Sequence, residues 1–345
     1  MRALALDAVG GLEHLAVHEL PRPELSTPHD VRVRVHAAAL NRLDLFVADG
    51  LPGVALTFPH IVGADGAGIV DAVGSAVWQV RLGDRVMWNP GLSCGRCAEC
   101  LAGEESLCGS FRVLGEHRSG TAADYVVLPA ENLALVPPGM PWAEAAAFSL
   151  ATLTAWRMLT TRSALQAGET VLIWGIGGGV SMASLQVAHL LGARAIVTSA
   201  SDAKLEVARS RGAAETINHA SADVVAEVRR LTGGLGADVV VDSIGEARWQ
   251  ESLRALRRGG RLTVCGATTG PAVTLDLRRL FWRQWSLLGS TLGSRREYAE
   301  IVRLAHQGRL WPVVDQVVPF SDGPAALARL RRGEQLGKLV IEVAT

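Results

Sequence analysis

Four of the five cysteines fall within fifteen positions, in the stretch PGLSCGRCAECLAGEESLC. Cys94, Cys97, Cys100 and Cys108 follow the spacing C-x2-C-x2-C-x7-C. Thiolates at such short spacings let one loop wrap a tetrahedral Zn²⁺. A bacterial ferredoxin run has a different third gap and ends Cys-Pro, whereas Gly109 follows here. Four protein thiolates close the coordination sphere and leave no position for water or substrate. One zinc per chain is therefore expected to order the loop and to activate nothing. The alternative, four incidental buried cysteines, does not account for the spacing.

A second cluster is glycine-rich: VLIWGIGGGVSMASLQVA. The pattern predicts a strand ending at Trp174, a turn, and a helix from near Val180. Gly175 and Gly177 make the turn, and Gly178 and Gly179 let the backbone approach a ligand closely. This arrangement aims backbone N–H groups and a helix N-terminus at a pyrophosphate. The strict G-x-G-x-x-G pattern fails, because Val180 stands where the third glycine would be. The next strand, in IVTSASDAK, ends in Thr198 and Ser199, and Asp202 is read as a helix cap. Small hydroxyls with Lys204 one turn into the helix leave room and charge for a 2′-phosphate, so NADP(H) is the expected cofactor. Otherwise Ser199 is a turn residue and Lys204 a surface one.

Two kinds of element must position these clusters. At 345 residues the chain fits two domains. The first third is strand-rich: VRVRVHAAAL alternates at period two, with Val31, Val33 and Val35 on one face. GAGIVDAVG, GDRVMW and ADYVVLP read as further strands, with the cysteines in a long loop. WAEAAAFSLATLTAWRMLT is helical, and after it apolar strands alternate with helices, the mark of a parallel sheet covered on both faces. The fold class is α/β. Residues 1–150 and 292–345 form a β-rich domain with a metal lobe at 90–110, and 151–291 form the dinucleotide-binding domain.

Thirty-four basic and 34 acidic side chains cancel, so nothing draws the chain to nucleic acid or an anionic membrane. No apolar run approaches the length of a membrane helix, and MRALALDAVG lacks the build of a signal peptide. A cytoplasmic protein acting on a small molecule is expected, and clustered cysteines there mean metal more often than disulfide.

AALNRLDLFVADGLPG, FPHIVGADGAGIVDAVG, GDRVMWNPGLSCGRCAEC and the glycine-rich half together resemble the medium-chain dehydrogenase/reductase superfamily, over essentially the whole chain. The resemblance implies a GroES-like catalytic domain and a Rossmann domain, and pairing into homodimers or homotetramers. It also identifies three positions that hold a second, catalytic zinc in the family's alcohol dehydrogenases. Here they carry Asn41, Ala64 and Leu150, which cannot replace Cys, His and Cys. Their loss is similar to the quinone oxidoreductase and enoyl reductase branches, although the four-cysteine lobe is less typical of the former. An alternative metal site would use His60, Asp65, Asp44 and His117.

The reading that follows is hydride transfer from NADPH to a quinone or an α,β-unsaturated carbonyl, an apolar or conjugated substrate whose charge spreads without a Lewis acid. Asn41 is a candidate donor to the carbonyl oxygen and Asp44 a candidate orienting group, or both only fix their loop. By the resemblance Thr154 contacts the nicotinamide and Lys338 lies near the cofactor phosphates; otherwise Thr154 bonds its own helix and Lys338 is a surface lysine. Leu43, Phe46, Trp88 and Leu150 would line an apolar pocket, and solvent is the default proton donor. An alcohol dehydrogenase with an unorthodox metal and a non-enzymatic NADPH-binding protein are the rival readings.

Overall fold

The computed structural model describes residues 1–344. The chain divides into two compact units, Met1–Leu150 with Gly293–Thr345, and Ala151–Leu292.

The first unit is built on a seven-stranded sheet. Along it lie Leu133–Leu135, Arg85–Trp88, Asp65–Val73, Asp30–Ala39, Lys338–Glu342 and Val314–Pro319, and Tyr125–Pro129 also pairs with Asp30–Ala39. The alternation in VRVRV is realised: Val31, Val33 and Val35 are fully buried, while Arg34 is exposed. They pack with Leu4, Trp88, Leu128 and Ile341 in one core. Each large apolar side chain taken from water there contributes about 1.5–3 kcal/mol.

Two registers in this sheet matter for the site. Ala39 sits opposite Asp65 on one neighbour, and Ala39 sits opposite Val340 on the other. Asp65 and Lys338 each open their strands, and Asn41 follows just after the end of the central one. Residues 24 and 297 positions away from Asn41 therefore meet at one sheet end.

The second unit is a six-stranded, wholly parallel sheet in the order Glu215–Asn218, Arg194–Ser199, Thr170–Ile173, Ala237–Asp242, Leu256–Val264, Ser286–Gly289. Order 3-2-1-4-5-6 with intervening helices is the doubly wound dinucleotide fold, whose ligand crevice lies beyond the carboxyl ends of the strands at the order reversal. The glycine turn follows the first of these strands, Thr170–Ile173, at that reversal. Among the described residues no helix is long and apolar enough to cross a membrane.

Several elements do not show in the periodicity. The strand Glu215–Asn218 has only one fully buried residue, Ile217, so its apolar signal is thin. The helices Val224–Leu231 and Leu277–Arg283 went unmarked as well. LNRLDLF is not loop alone, since Arg42–Asp49 is a helix with Asn41 as its N-cap.

Candidate functional site

The four cysteines come together. Their sulfurs lie within 4.8 Å of one another, with Cys94–Cys100 at 3.9 Å and Cys97–Cys100 at 3.5 Å. Four sulfurs at 2.3 Å around a tetrahedral zinc would be about 3.8 Å apart. At Cys94 the main chain favours thiolate, since N–H groups of Arg96 and Cys97 pull its thiol down to about 6. Ser110 N–H donates to Cys108 Sγ at 3.4 Å. An antiparallel pair, Gly91–Leu92 with Arg112–Val113, closes the base of the lobe. The donor set fits a structural zinc held by Cys94, Cys97, Cys100 and Cys108, which would order the loop.

At the end of the seven-stranded sheet a second, buried cluster forms. Asp65 is fully buried; its Oδ1 accepts Leu150 N–H at 2.7 Å and its Oδ2 accepts Asn41 Nδ2 at 3.0 Å. The Lys338 ammonium donates to the same Oδ2 at 3.0 Å and to Asn41 Oδ1. Positions 41, 64–65 and 150, far apart in sequence, thus converge on one carboxylate, and a lysine ammonium supplies the counter-charge. The only other lysine is Lys204. Lys338 is 4% exposed, so its charge is spent inside the protein. This corrects the expectation of a surface lysine; a strand register buries it beside Asp65.

Asn41 has both amide hydrogens engaged, on Asp65 Oδ2 and on Ala39 O at 3.3 Å. It is thereby a fixing residue in this state rather than a free donor. Asp44 is likewise structural in its contacts. Its Oδ2 accepts Asn41 N–H at 2.7 Å, completing a capping box, and its Oδ1 accepts Gly63 N–H at 3.0 Å. Gly63 lies at φ 95°, a left-handed conformation that a side chain would strain.

Burial pushes the Asp44 carboxyl up to about 6 from 3.8, despite the N–H groups of Asn41 and Gly63. The native state thus holds this proton more tightly than the unfolded chain. The stability it brings is full below pH 3.8 and is lost as pH rises through about 6. Asp44→Asn cannot titrate, so the stability gap between wild type and variant is expected to widen by roughly 2–3 kcal/mol between pH 7 and pH 4. Urea unfolding across that range measures it; a gap that stays level would remove the titration from Asp44.

The alternative metal set does not assemble. His60 Nε2 bonds Gly115 O at 3.0 Å, and His117 Nδ1 accepts Val113 N–H at 3.3 Å. Among the described residues, only the four cysteines form a group of three or more His, Cys, Asp or Glu placed to hold a metal. Trp88 is not a pocket wall either: it is fully buried and donates Nε1–H to Ala64 O at 3.0 Å. Leu43, Phe46 and Leu150 are half-buried.

Three further buried or half-buried polar residues are placed by the fold. Tyr298 is buried, bonds Ser149 Oγ at 3.0 Å, and has its phenol pushed well above its ordinary value by burial, with the Asp65 charge adding to it. Its place on the buried stripe of helix Arg295–His306 was readable; its nearness to Asp65 was not. Arg42 is half-buried, burial lowers its pKa, and no acidic side chain pairs with it among the described residues. Asp242, fully buried at the end of its strand, accepts Ile244 N–H at 2.8 Å, Gly245 N–H at 3.0 Å and Ser252 Oγ–H at 2.7 Å.

In the second unit Gly175 (φ 64°) and Gly177 (φ 119°) take left-handed conformations that only glycine adopts freely. Gly178 caps the helix Gly179–Leu190. The first-turn N–H groups of Gly179, Val180 and Ser181 have no intrahelical acceptor and suit a diphosphate. Ser199 is buried at its strand end and accepts Ser201 N–H at 3.1 Å. The cap of the following helix is Ser201, not Asp202; Asp202 opens the helix and accepts Asn218 Nδ2 at 2.7 Å. Lys204 is half-buried in the first turn of that helix. Thr154 is buried near the C-terminal end of helix Trp142–Arg157. Cys265 is half-buried, and desolvation with the nearby Asp242 charge pushes its thiol up to about 12.

A doubly wound sheet with a glycine turn, joined in one chain to a β unit carrying a four-thiolate lobe, defines a zinc-binding, nicotinamide-type dehydrogenase. Family models agree: residues 27–138 match the alcohol dehydrogenase GroES-like domain, and 179–307 match zinc-binding dehydrogenase. A zinc-type alcohol dehydrogenase-like protein of Schizosaccharomyces pombe is 31% identical over 350 residues, 99% of both chains. A crystal structure of an NAD-dependent alcohol dehydrogenase superposes with TM-score 0.96 at 47% identity, covering 100% of each chain. A crotonyl-CoA carboxylase/reductase of Cereibacter sphaeroides is 29% identical over 337 residues, 89% of this chain and 78% of its own. The chain belongs to the zinc-type alcohol dehydrogenase-like family of medium-chain dehydrogenases/reductases, and is an oxidoreductase of that family.

Proposed function

We propose that this oxidoreductase reduces α,β-unsaturated carbonyl compounds or quinones with NADPH, with no metal beside the reacting carbon. The observation that carries this reading is the Lys338–Asp65–Asn41 cluster. The positions that the family resemblance assigns to a catalytic metal hold Asn41, Ala64 and Leu150. Their one carboxylate, Asp65, is already matched by a buried ammonium. A second cation there would meet the lysine charge with only Asp65 and an amide oxygen as ligands, a poor set for zinc.

Without a Lewis acid the growing charge must be delocalised by the substrate itself. An enolate or quinol spreads it; a simple alkoxide does not. When bound, the dinucleotide supplies a hydride from its nicotinamide. The chain's part is positional. The glycine turn and the first turn of helix Gly179–Leu190 hold the diphosphate. Ser199 and Lys204 receive the 2′-phosphate, and Thr154 the nicotinamide. Leu43, Phe46 and Leu150 offer apolar contact. Asn41 and Asp44 keep the end of the strand in register. A relative named as a crotonyl-CoA reductase acts, by that name, on a conjugated thioester, which supports the substrate class.

A second reading, reversible alcohol oxidation, is favoured by the alcohol dehydrogenase names of most relatives and by an NAD-dependent one at 47% identity. One experiment divides the two: metal content of the purified protein, with nicotinamide absorbance followed against quinones, enals, ketones and alcohols. One zinc per chain with turnover of enals or quinones is expected, and NADPH preferred to NADH by about tenfold or more, falling toward parity in Lys204→Ala. Two zincs and alcohol oxidation would overturn the reading.

We take the protein as cytoplasmic, since clustered thiolate ligands suit a reducing compartment. We also take it as a homodimer or homotetramer. The edge strand Ser286–Gly289 has one neighbour in its sheet, and Leu277, Phe281 and Trp282 on the preceding helix are exposed, which supports pairing through that edge.

A further inference from the structure

The cysteine lobe is gripped within its unit by a residue from the far end of the chain. Arg295 is the first residue of helix Arg295–His306, which opens with a capping box of Ser294 and Glu297. A first-turn N–H has no intrahelical acceptor. That of Arg295 goes to Glu105 Oε2 at 3.2 Å, and its guanidinium Nε stands 3.7 Å from Glu105 Oε1. Glu105 is buried and lies between the third and fourth cysteines. The two remaining guanidinium nitrogens reach either side of it: Nη2 donates to Ser93 Oγ at 2.9 Å, and Nη1 to Glu131 Oε2 at 2.6 Å.

Ser93 precedes Cys94, so the guanidinium holds the neighbour of one ligand as well as the acid that lies between two others. Partners of this kind, one step out from the ligands, orient them and tune how tightly the ion is held.

We propose that Arg295 is a positioning residue for the structural metal. It holds Ser93 beside Cys94 and clamps Glu105 between Cys100 and Cys108, so that the lobe is preorganised around its ion. The inference rests on the four cysteines holding zinc and not on the substrate reading, so either can fail alone.

The test is the rate at which the full-length protein yields zinc to a colorimetric chelator, 4-(2-pyridylazo)resorcinol, with thermal melting run in parallel. Arg295→Ala and Ser93→Ala are expected to speed release about 10–100-fold. Ser93→Ala should do so with little change in melting temperature, because it removes only a hydroxyl. Arg295→Lys keeps the charge without the fork and should fall between wild type and Arg295→Ala. Glu131→Gln, which removes only the outermost partner, should stay within about twofold of wild type. Release from Ser93→Ala at the wild-type rate overturns the inference. So does acceleration in Arg295→Ala that Glu131→Gln reproduces, since the arginine would then be a general brace. Wild type purified without zinc overturns the inference outright.

Discussion

Lys338→Met is expected to lose about 3–5 kcal/mol of unfolding free energy, the cost of stranding one member of a buried ion pair. Methionine keeps most of the lysine volume and removes the charge, so packing changes little. What remains is Asp65, fully buried, with hydrogen bonds from Leu150 N–H and Asn41 Nδ2 but no counter-cation. For a unit of this size the melting temperature should fall by about 10 °C. Lys338→Met with Asp65→Asn should recover much of the loss. The new amide oxygen can still accept Leu150 N–H, and Asn41, released from Lys338, can turn its Oδ1 to the new amide hydrogens. A double-mutant cycle in urea gives the coupling. A single variant that loses less than about 1 kcal/mol would show that the ammonium is not what compensates Asp65. Zinc content should stay at one per chain in all three proteins, because the thiolate lobe uses none of these residues.

Removing the thiolate zinc should have the second large effect, and a different signature. The lobe has little apolar core of its own: Leu101 and Leu107 are exposed, and its helical pieces, Ala98–Leu101 and Glu105–Leu107, are of four and three residues. Helices so short do not persist unaided. A structural zinc contributes on the order of 10 kcal/mol to folding a small peptide site. Cys100→Ser is therefore expected to bring zinc from one equivalent to near zero and to open residues 90–110 to trypsin, with cleavage at Arg96 detected by mass spectrometry. Affinity for NADPH should stay within about twofold, because the glycine turn and Ser199 belong to the other unit and the lost site closes only a local loop. A zinc-free protein that resists trypsin at Arg96 would mean that Arg295 and its acidic partners suffice to order the lobe.

The sequence by itself determined what is local. Cysteines within fifteen residues can reach one ion whatever the rest of the chain does, so the four-sulfur cluster was legible from spacing. Strand, glycine turn and helix are consecutive, so that unit was legible from Gly175 to Val180. Alternation at Val31, Val33 and Val35 showed the buried face because side chains on a strand have a strict period of two. Ser199 and Lys204 were placed by their distance from the glycines, and the helix cap was missed by one residue, as Ser and Asp compete for that role on equal terms.

Only the tertiary structure decided what the lost ligand positions contain. Asn41, Asp65, Leu150 and Lys338 come from four distant segments, and nothing in their spacing couples them. Two sheet registers, Ala39 opposite Asp65 and Ala39 opposite Val340, bring them within hydrogen-bonding distance. A shift of one residue in either would turn every side chain on that strand to the other face. From its residues alone Lys338 reads as a surface cation before a strand, because a lysine in water keeps its charge at no cost. Once buried, its ammonium must be matched nearby, and Asp65 and Asn41 are what the fold places there.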